Sequence, residues 1–213
     1  MQFVKSCVLF FAVILVAQKT NAQANYMGSL IVDPYYGAPN LDRLLWETSG
    51  SATNVTDYRS RGFGPFGARA EYMVADQFGL GLDVIFASIH TSYTEYSAVY
   101  NSLTDSFDSL STDVDSKNRR LRVQLRFNYH FAVSNPNLDA YMGVGAGSNT
   151  RFNKTYENGI ELKDDSNYYG IAIVPVSFRL SVGMRYYFSP IVGINAEIGL
   201  GGPLISAGLS FRL

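Results

Sequence analysis

From Arg120 to Phe131 the chain alternates without a break. Leu121, Val123, Leu125, Phe127, Tyr129 and Phe131 are apolar, and Arg120, Arg122, Gln124, Arg126, Asn128 and His130 are polar. A period of two places these sets on opposite faces of a strand, whereas a helix would mix them around its circumference. The pattern returns at the C-terminus, with Ile205, Ala207, Leu209, Phe211 and Leu213 against Ser206, Gly208, Ser210 and Arg212. Between the two, Val174, Val176, Phe178, Leu180, Val182, Met184 and Tyr186 oppose Ser177, Arg179, Ser181, Gly183, Arg185 and Tyr187.

The faces differ in bulk as well as polarity. The apolar face is large and continuous, and the polar face is largely Gly, Ser and Arg. A lumen of about eight strands is just wide enough for side chains and cannot take a bulky one at every position. The bulky face therefore points outward, toward lipid. The bulk properties agree: aromatic residues make up 14% of the chain, charged residues only 16%, and there are 19 glycines. A mean hydropathy near zero is far too polar for a helical membrane protein, and a net charge of -1 argues against a nucleic-acid partner.

Eight strands are expected: 28–37, 63–74, 78–89, 119–131, 140–151, 171–188, 191–201 and 204–213. The connections alternate in kind. Ala75-Asp76-Gln77, 133–138 and Ser189-Pro190 are short turns, while 39–61, 91–117 and 152–169 are long, polar and expected to be loops. Gly201-Gly202-Pro203 is the exception, a short connection on the long-loop side. Tyr72, Phe78, Tyr129, Phe131, Tyr141, Tyr186, Phe188 and Phe211 all fall at strand ends near the short turns or the C-terminus. If the strands run up and down, these rings form one girdle at the periplasmic interface.

The N-terminus reads as a cleaved signal peptide over residues 1–22: Lys5 is its positive region, Cys7 to Ala17 its apolar run, and Thr20-Asn21-Ala22 its cleavage site. The remaining 23–213 form one domain. Cys7 is the only cysteine, so the mature chain would have no disulfide, thiol nucleophile or cysteine metal site.

The run Phe178-Arg179-Leu180-Ser181-Val182-Gly183-Met184-Arg185-Tyr186-Tyr187-Phe188-Ser189-Pro190-Ile191-Val192-Gly193, with Ala196-Glu197-Ile198-Gly199-Leu200-Gly201-Gly202-Pro203 and the terminal Ala207-Gly208-Leu209-Ser210-Phe211-Arg212-Leu213, resembles the small outer membrane protein β-barrel domain family, porin-like in the loose sense. In residue detail the resemblance covers mainly 178–213. It implies an all-β, eight-stranded antiparallel up-and-down transmembrane barrel in a Gram-negative outer membrane. Both mature termini would be periplasmic, and the last strand would be read by the barrel assembly machinery. That strand ends in Leu213, where the family usually ends in an aromatic residue.

Inside–outside parity sends Asp33, Glu71, Asp83 and Glu197 into the lumen with Arg69, Arg122, Arg126, Arg179, Arg185 and Arg212. Such a set is either an arginine-lined ion pathway or a packing of ion pairs that plugs a narrow barrel. The plug is the expected reading. His130, followed by Ser134 and Asn135, faintly resembles the His–Ser arrangement of the lipid A deacylase barrels, but the sequence offers it no acid partner. Gly143, Gly145 and Gly147 fall on one face, which suits a crowded lumen. Glu95, Asp105, Asp108, Asp113 and Asp115 make the second long loop acidic, and with Asp57, Asp164 and Asp165 the outer rim is expected to repel anions weakly. Trp46 with Leu41, Leu44 and Leu45 could pack over the barrel mouth or meet another protein. The expectation is a non-enzymatic, plugged outer-membrane barrel without a cofactor, its partners lipid, lipopolysaccharide and a protein at the external loops. A narrow channel for small solutes is the alternative.

Overall fold

The computed structural model describes residues 24–40, 43–44, 54–102, 105–162 and 175–213. The expected leader and its cleavage point, Leu41, Leu45 and Trp46, Asp164 and Asp165, and the expected strand start at Ile171 lie outside the described residues. The strands are β1 Leu30–Ala38, β2 Val55–Ala75, β3 Phe78–Asn101, β4 Ser106–Phe131, β5 Leu138–Glu157, β6 Ile160–Leu162, β7 Val176–Tyr187, β8 Val192–Leu200 and β9 Ile205–Arg212.

All pairings are antiparallel. The three-residue β6 only folds back on the end of β5. The other eight close into a ring in the order β1-β2-β3-β4-β5-β7-β8-β9, with β9 returning to β1 through Val32↔Phe211 and Tyr35↔Gly208. At the seam the Leu30 and Leu213 amides each donate to the other's carbonyl, at 3.0 and 2.8 Å. A closed ring satisfies its backbone internally and has no edge to aggregate, which is what hydrocarbon requires of a spanning sheet.

Within the ring, burial alternates residue by residue, as in the strict exposed–buried repeat of β7. The exposed set is aliphatic and aromatic: Leu80, Leu82 and Val84 on β3, Leu125 on β4, Phe178 to Met184 on β7, and Ile194 to Leu200 on β8. Leu125 and Phe178 are 72% and 71% exposed, while Asp33, Arg69, Glu71, Asp83 and Arg126 are buried. A water-soluble barrel has the opposite polarity. Burying charge while exposing a continuous apolar band is favourable only when the outer surface meets lipid.

Aromatic residues flank that band at both ends. At the turn end, Tyr72, Phe78, Tyr129, Phe131, Tyr186, Phe188 and Phe211 lie on the outward face. Phe78 stands 5.4 Å from Tyr129, and Tyr129 stands 5.3 Å from Phe131, ring centre to ring centre. Tyr141 does not belong to this girdle. It is fully buried, because its parity matches Asp139 and Gly143 and aims it into the lumen. A second belt at the opposite end is absent from the sequence reading. Phe63, Phe66 and Phe86 pack with tilted rings at 5.2 and 5.4 Å between centres, with Tyr36 and Phe152 on the same outward face.

The segments expected as long loops are largely strand. β3 and β4 stay in continuous register from Phe78↔Tyr129 to Asn101↔Ser106, where 91–117 was expected to be irregular. β2 begins at Val55, and β5 runs on to Glu157. Their threonines and aromatic residues, such as Thr91, Thr94, Thr112, Tyr93, Tyr96, Tyr100 and Phe107, favour extended backbone. Beyond the membrane both faces of the ribbon meet water, so no hydrophobic alternation marks them.

Candidate functional site in the barrel lumen

The inward face carries two linked charge clusters. The one near the turns is organised by Arg185 of β7, which is 1% exposed. Its guanidinium donates to Asp33 of β1 at 2.8 and 3.0 Å, to Glu71 of β2 at 2.6 Å and to Asp139 of β5 at 2.8 Å. The planar fork of donors makes arginine suited to bridging several strands at once. His130 of β4 lies between two of the same acids, with Nδ1 2.7 Å from Asp139 and Nε2 2.9 Å from Glu71. Asn128 donates to Glu71, Asn25 to Asp139 and Ser210 to Asp33, at 2.6–2.7 Å.

The second cluster, further up the lumen, inverts this arrangement around one acid. Glu197 of β8 accepts from Arg69 at 2.6 Å, from Arg126 at 2.8 Å, and from Arg179 in a short contact. Asp83 of β3 accepts from Arg126 at 3.2 Å and from the Tyr35 hydroxyl at 2.7 Å. Tyr141 joins the clusters. Its hydroxyl donates to Glu197 and accepts from Arg69, both at 2.9 Å, and Arg185 lies over its ring at 4.3 Å. Five carboxylates (Asp33, Glu71, Asp83, Asp139, Glu197) thus face four guanidiniums and the His130 ring. Such pairing is what lets charges stay buried.

Glycines on the same face make the room. A Cβ on Gly79 would overlap Glu71, one on Gly143 would overlap Asn128 and Arg126, and one on Gly183 would overlap Tyr141. The large side chains reach across the lumen where facing positions have none.

Of the residues assigned to the lumen by parity, Asp33, Arg69, Glu71, Asp83, Arg126, Arg179, Arg185 and Glu197 come together. Two do not. Arg122 is half-buried toward the ribbon end, with Nε 3.4 Å from Asn149. Arg212 sits at the opposite rim, donating to the Pro190 carbonyl at 3.0 Å and lying 4.5 Å over the Tyr187 ring. Parity fixes a face but not a height, and both lie too far along the barrel axis. The expectation that His130 lacks an acid partner is also wrong. Its partners sit on β2 and β5, and only the strand register brings them to it. Asp139, Tyr35 and Tyr141 are further members that the sequence reading missed. The only signal for them is their shared parity with Glu71, Asp83 and Gly143 on neighbouring strands.

Every network carboxylate is held by a cation. Among the described residues no group of three His, Cys, Asp or Glu could hold a metal ion. The acids of the β3–β4 ribbon are strung out along it, each with a nearby donor: His90 with Asp115 at 2.7 Å, Thr94 with Asp113 at 2.8 Å, Asn101 with Asp108 at 2.8 Å and Tyr100 with Asp105 at 2.6 Å.

No protein-family model matches the chain. No curated protein matches it. Among solved structures it is similar to the N-terminal β-barrel domain of Pseudomonas aeruginosa OprF, at 12% identity and a TM-score of 0.42, over 89% of this chain and 100% of that one. It is similar to the outer membrane protein OprG of the same organism, at 13% identity and a TM-score of 0.42, over 89% and 97%. It is similar to Ail, the attachment invasion locus protein of Yersinia pestis, at 12% identity and a TM-score of 0.30, over 87% and 96%.

Proposed function

We propose that this chain is a non-enzymatic outer-membrane barrel whose lumen is sealed by its own ion pairs and whose role is structural or in binding, through what it presents beyond the membrane. The observation that carries the reading is the lumen network: Arg185 holding three carboxylates and Glu197 holding three guanidiniums across one narrow interior. An ion path would need polar groups left available to a passing ion, and these groups hold one another. Export by a cleaved leader, periplasmic termini and insertion by the barrel assembly machinery through the final strand fit the same reading. In that orientation the β2–β5 ribbons stand outside the cell, in contact with lipopolysaccharide and open to a protein partner.

Planar-bilayer recording tests this. The purified barrel is expected to insert without adding steady conductance. A large, stable open level would replace the plug with a narrow solute pore.

A further inference from the structure

The strand register gathers basic side chains into one place on the outward surface. Arg61 of β2 pairs with His90 of β3, His90 with Lys117 of β4, and Lys117 with Lys154 of β5. Side chains directly across neighbouring strands share a face, so these four form one outward row. Arg59 and Arg119, two positions up β2 and two positions down β4, widen it into a collar.

The height of this collar is informative. At about 3.3 Å per residue and a strand tilt of about 40°, His90 stands about 30 Å above Phe78 of the turn-end girdle. Tilt spreads the other five positions over about 10 Å around that level. The apolar band of such a barrel is about 25 Å tall. The collar therefore begins where hydrocarbon ends, just above Phe63, Phe66 and Phe152, at the depth of lipid headgroups.

Its charge is only partly cancelled. Asp115 takes His90 at 2.7 Å and Lys117 at 3.8 Å, and Glu161 takes Lys154 at 2.9 Å. Arg59, Arg61 and Arg119 are exposed and have no ion pair among the described residues. The hydrogen bond from Lys154 to Glu161 holds the ammonium above the ordinary lysine range, while the nearby Arg119 charge opposes that shift. The remaining ribbon acids, Asp57, Glu95, Asp105, Asp108, Asp113 and Glu157, all lie further from the membrane than the collar position on their own strand. Positive charge is thus concentrated next to the membrane and negative charge away from it. On the other side, β7, β8, β9 and β1 end lower, at Val176, Leu200, Ile205 and Ala38, and among the described residues their outward faces carry no Lys or Arg.

We infer that this collar, formed by Arg59, Arg61, His90, Lys117, Arg119 and Lys154, binds the phosphate-bearing headgroups of the lipids that surround the β2–β5 side of the barrel. The inference rests on the membrane-barrel reading; in the orientation proposed above, the leaflet concerned is the outer one and the lipid is lipopolysaccharide. Arginine and lysine donors match phosphate oxygens, and the attraction is strongest at the surface and falls off within a Debye length.

The test is lipid selectivity in nanodiscs of phosphatidylcholine carrying either spin-labelled phosphatidic acid or spin-labelled phosphatidylcholine, read as the motionally restricted fraction. The wild-type barrel is expected to restrict phosphatidic acid preferentially. R61Q and R119Q, both at exposed positions, should each lower that preference about fivefold. K117Q/K154Q should lower it further, and salt should weaken it throughout. Equal restriction of both lipids by an inserted wild-type barrel, or full preference in R61Q/R119Q, would overturn the collar and leave the barrel reading intact. Abolition by millimolar inorganic phosphate would reassign it to a free-anion site. Failure to insert into phosphatidylcholine alone would remove both readings.

Discussion

β3 and β4 pass through two environments within one continuous ladder. Between Phe78 and Phe86, and between Leu121 and Tyr129, one face meets lipid and the other meets the charged lumen. Above His90 and Lys117 the same two strands stand in water on both faces. The hydrogen bonding is the same in both regions, but what holds side chains in place is not. In the barrel, a substitution disturbs either a lipid contact or a buried ion pair. In the ribbon, it disturbs an exposed pair of modest strength.

The contrast should be greatest at the lumen. Arg185→Leu leaves Asp33, Glu71 and Asp139 without their shared guanidinium. Removing one member of a buried charge network is expected to cost about 3–5 kcal/mol. Denaturant unfolding of the barrel in detergent micelles measures the loss. Arg119→Leu, on the ribbon side of the aromatic belt, should leave the same transition unmoved; equal losses would abolish the distinction between the regions.

A smaller difference is expected on the outward face. Leu125→Arg puts a charge in the middle of the apolar band, at an expected cost of about 2–4 kcal/mol when the barrel is folded into bilayers. Thr94→Arg, also on the outward face of the β3–β4 pair but beyond the collar, should fold as the wild type does. Reversible folding into lipid vesicles distinguishes the two.

The least effect is expected at the ribbon's own ion pair. A hydrogen bond from Lys154 holds the Glu161 carboxyl below its ordinary range. A lowered carboxyl contributes stability that is present above its unfolded value and is lost as pH falls through the lowered one. Glu161→Gln, or acidification through that range, should speed amide exchange at Ile160–Leu162. The barrel's unfolding midpoint should be the same for Glu161→Gln and the wild type.

The same contrast explains what could be read from the sequence. Period two is visible where the two faces of a strand meet different media, and 119–131 and 176–187 could be read directly for that reason. The ribbons read as loops because water on both sides removes any pressure to alternate. Parity also found most of the lumen charges, since a charge on the narrow inner face has nowhere else to go. It could not supply register. Arg122 and Arg212 have the right parity at the wrong height, Tyr141 has the right height for the girdle but the wrong parity, and His130 meets Glu71 across 59 positions of sequence. The collar was out of reach for the same reason: Arg61, His90, Lys117 and Lys154 share no motif and become neighbours only through three consecutive pairings.

The central claim is that β3 and β4 leave lipid and enter water at the level of the second aromatic belt. With Cys7 the only cysteine and located in the expected leader, single cysteines can be introduced along the outward face at Leu80, Leu82, Val84, Ser92, Thr94 and Ala98 and spin-labelled in reconstituted bilayers. Collision with oxygen should dominate at the first three positions and collision with a water-soluble nickel complex at the last three, with the crossover between Phe86 and His90. Nickel accessibility at Leu82 and Val84 equal to that at Thr94 would contradict the account.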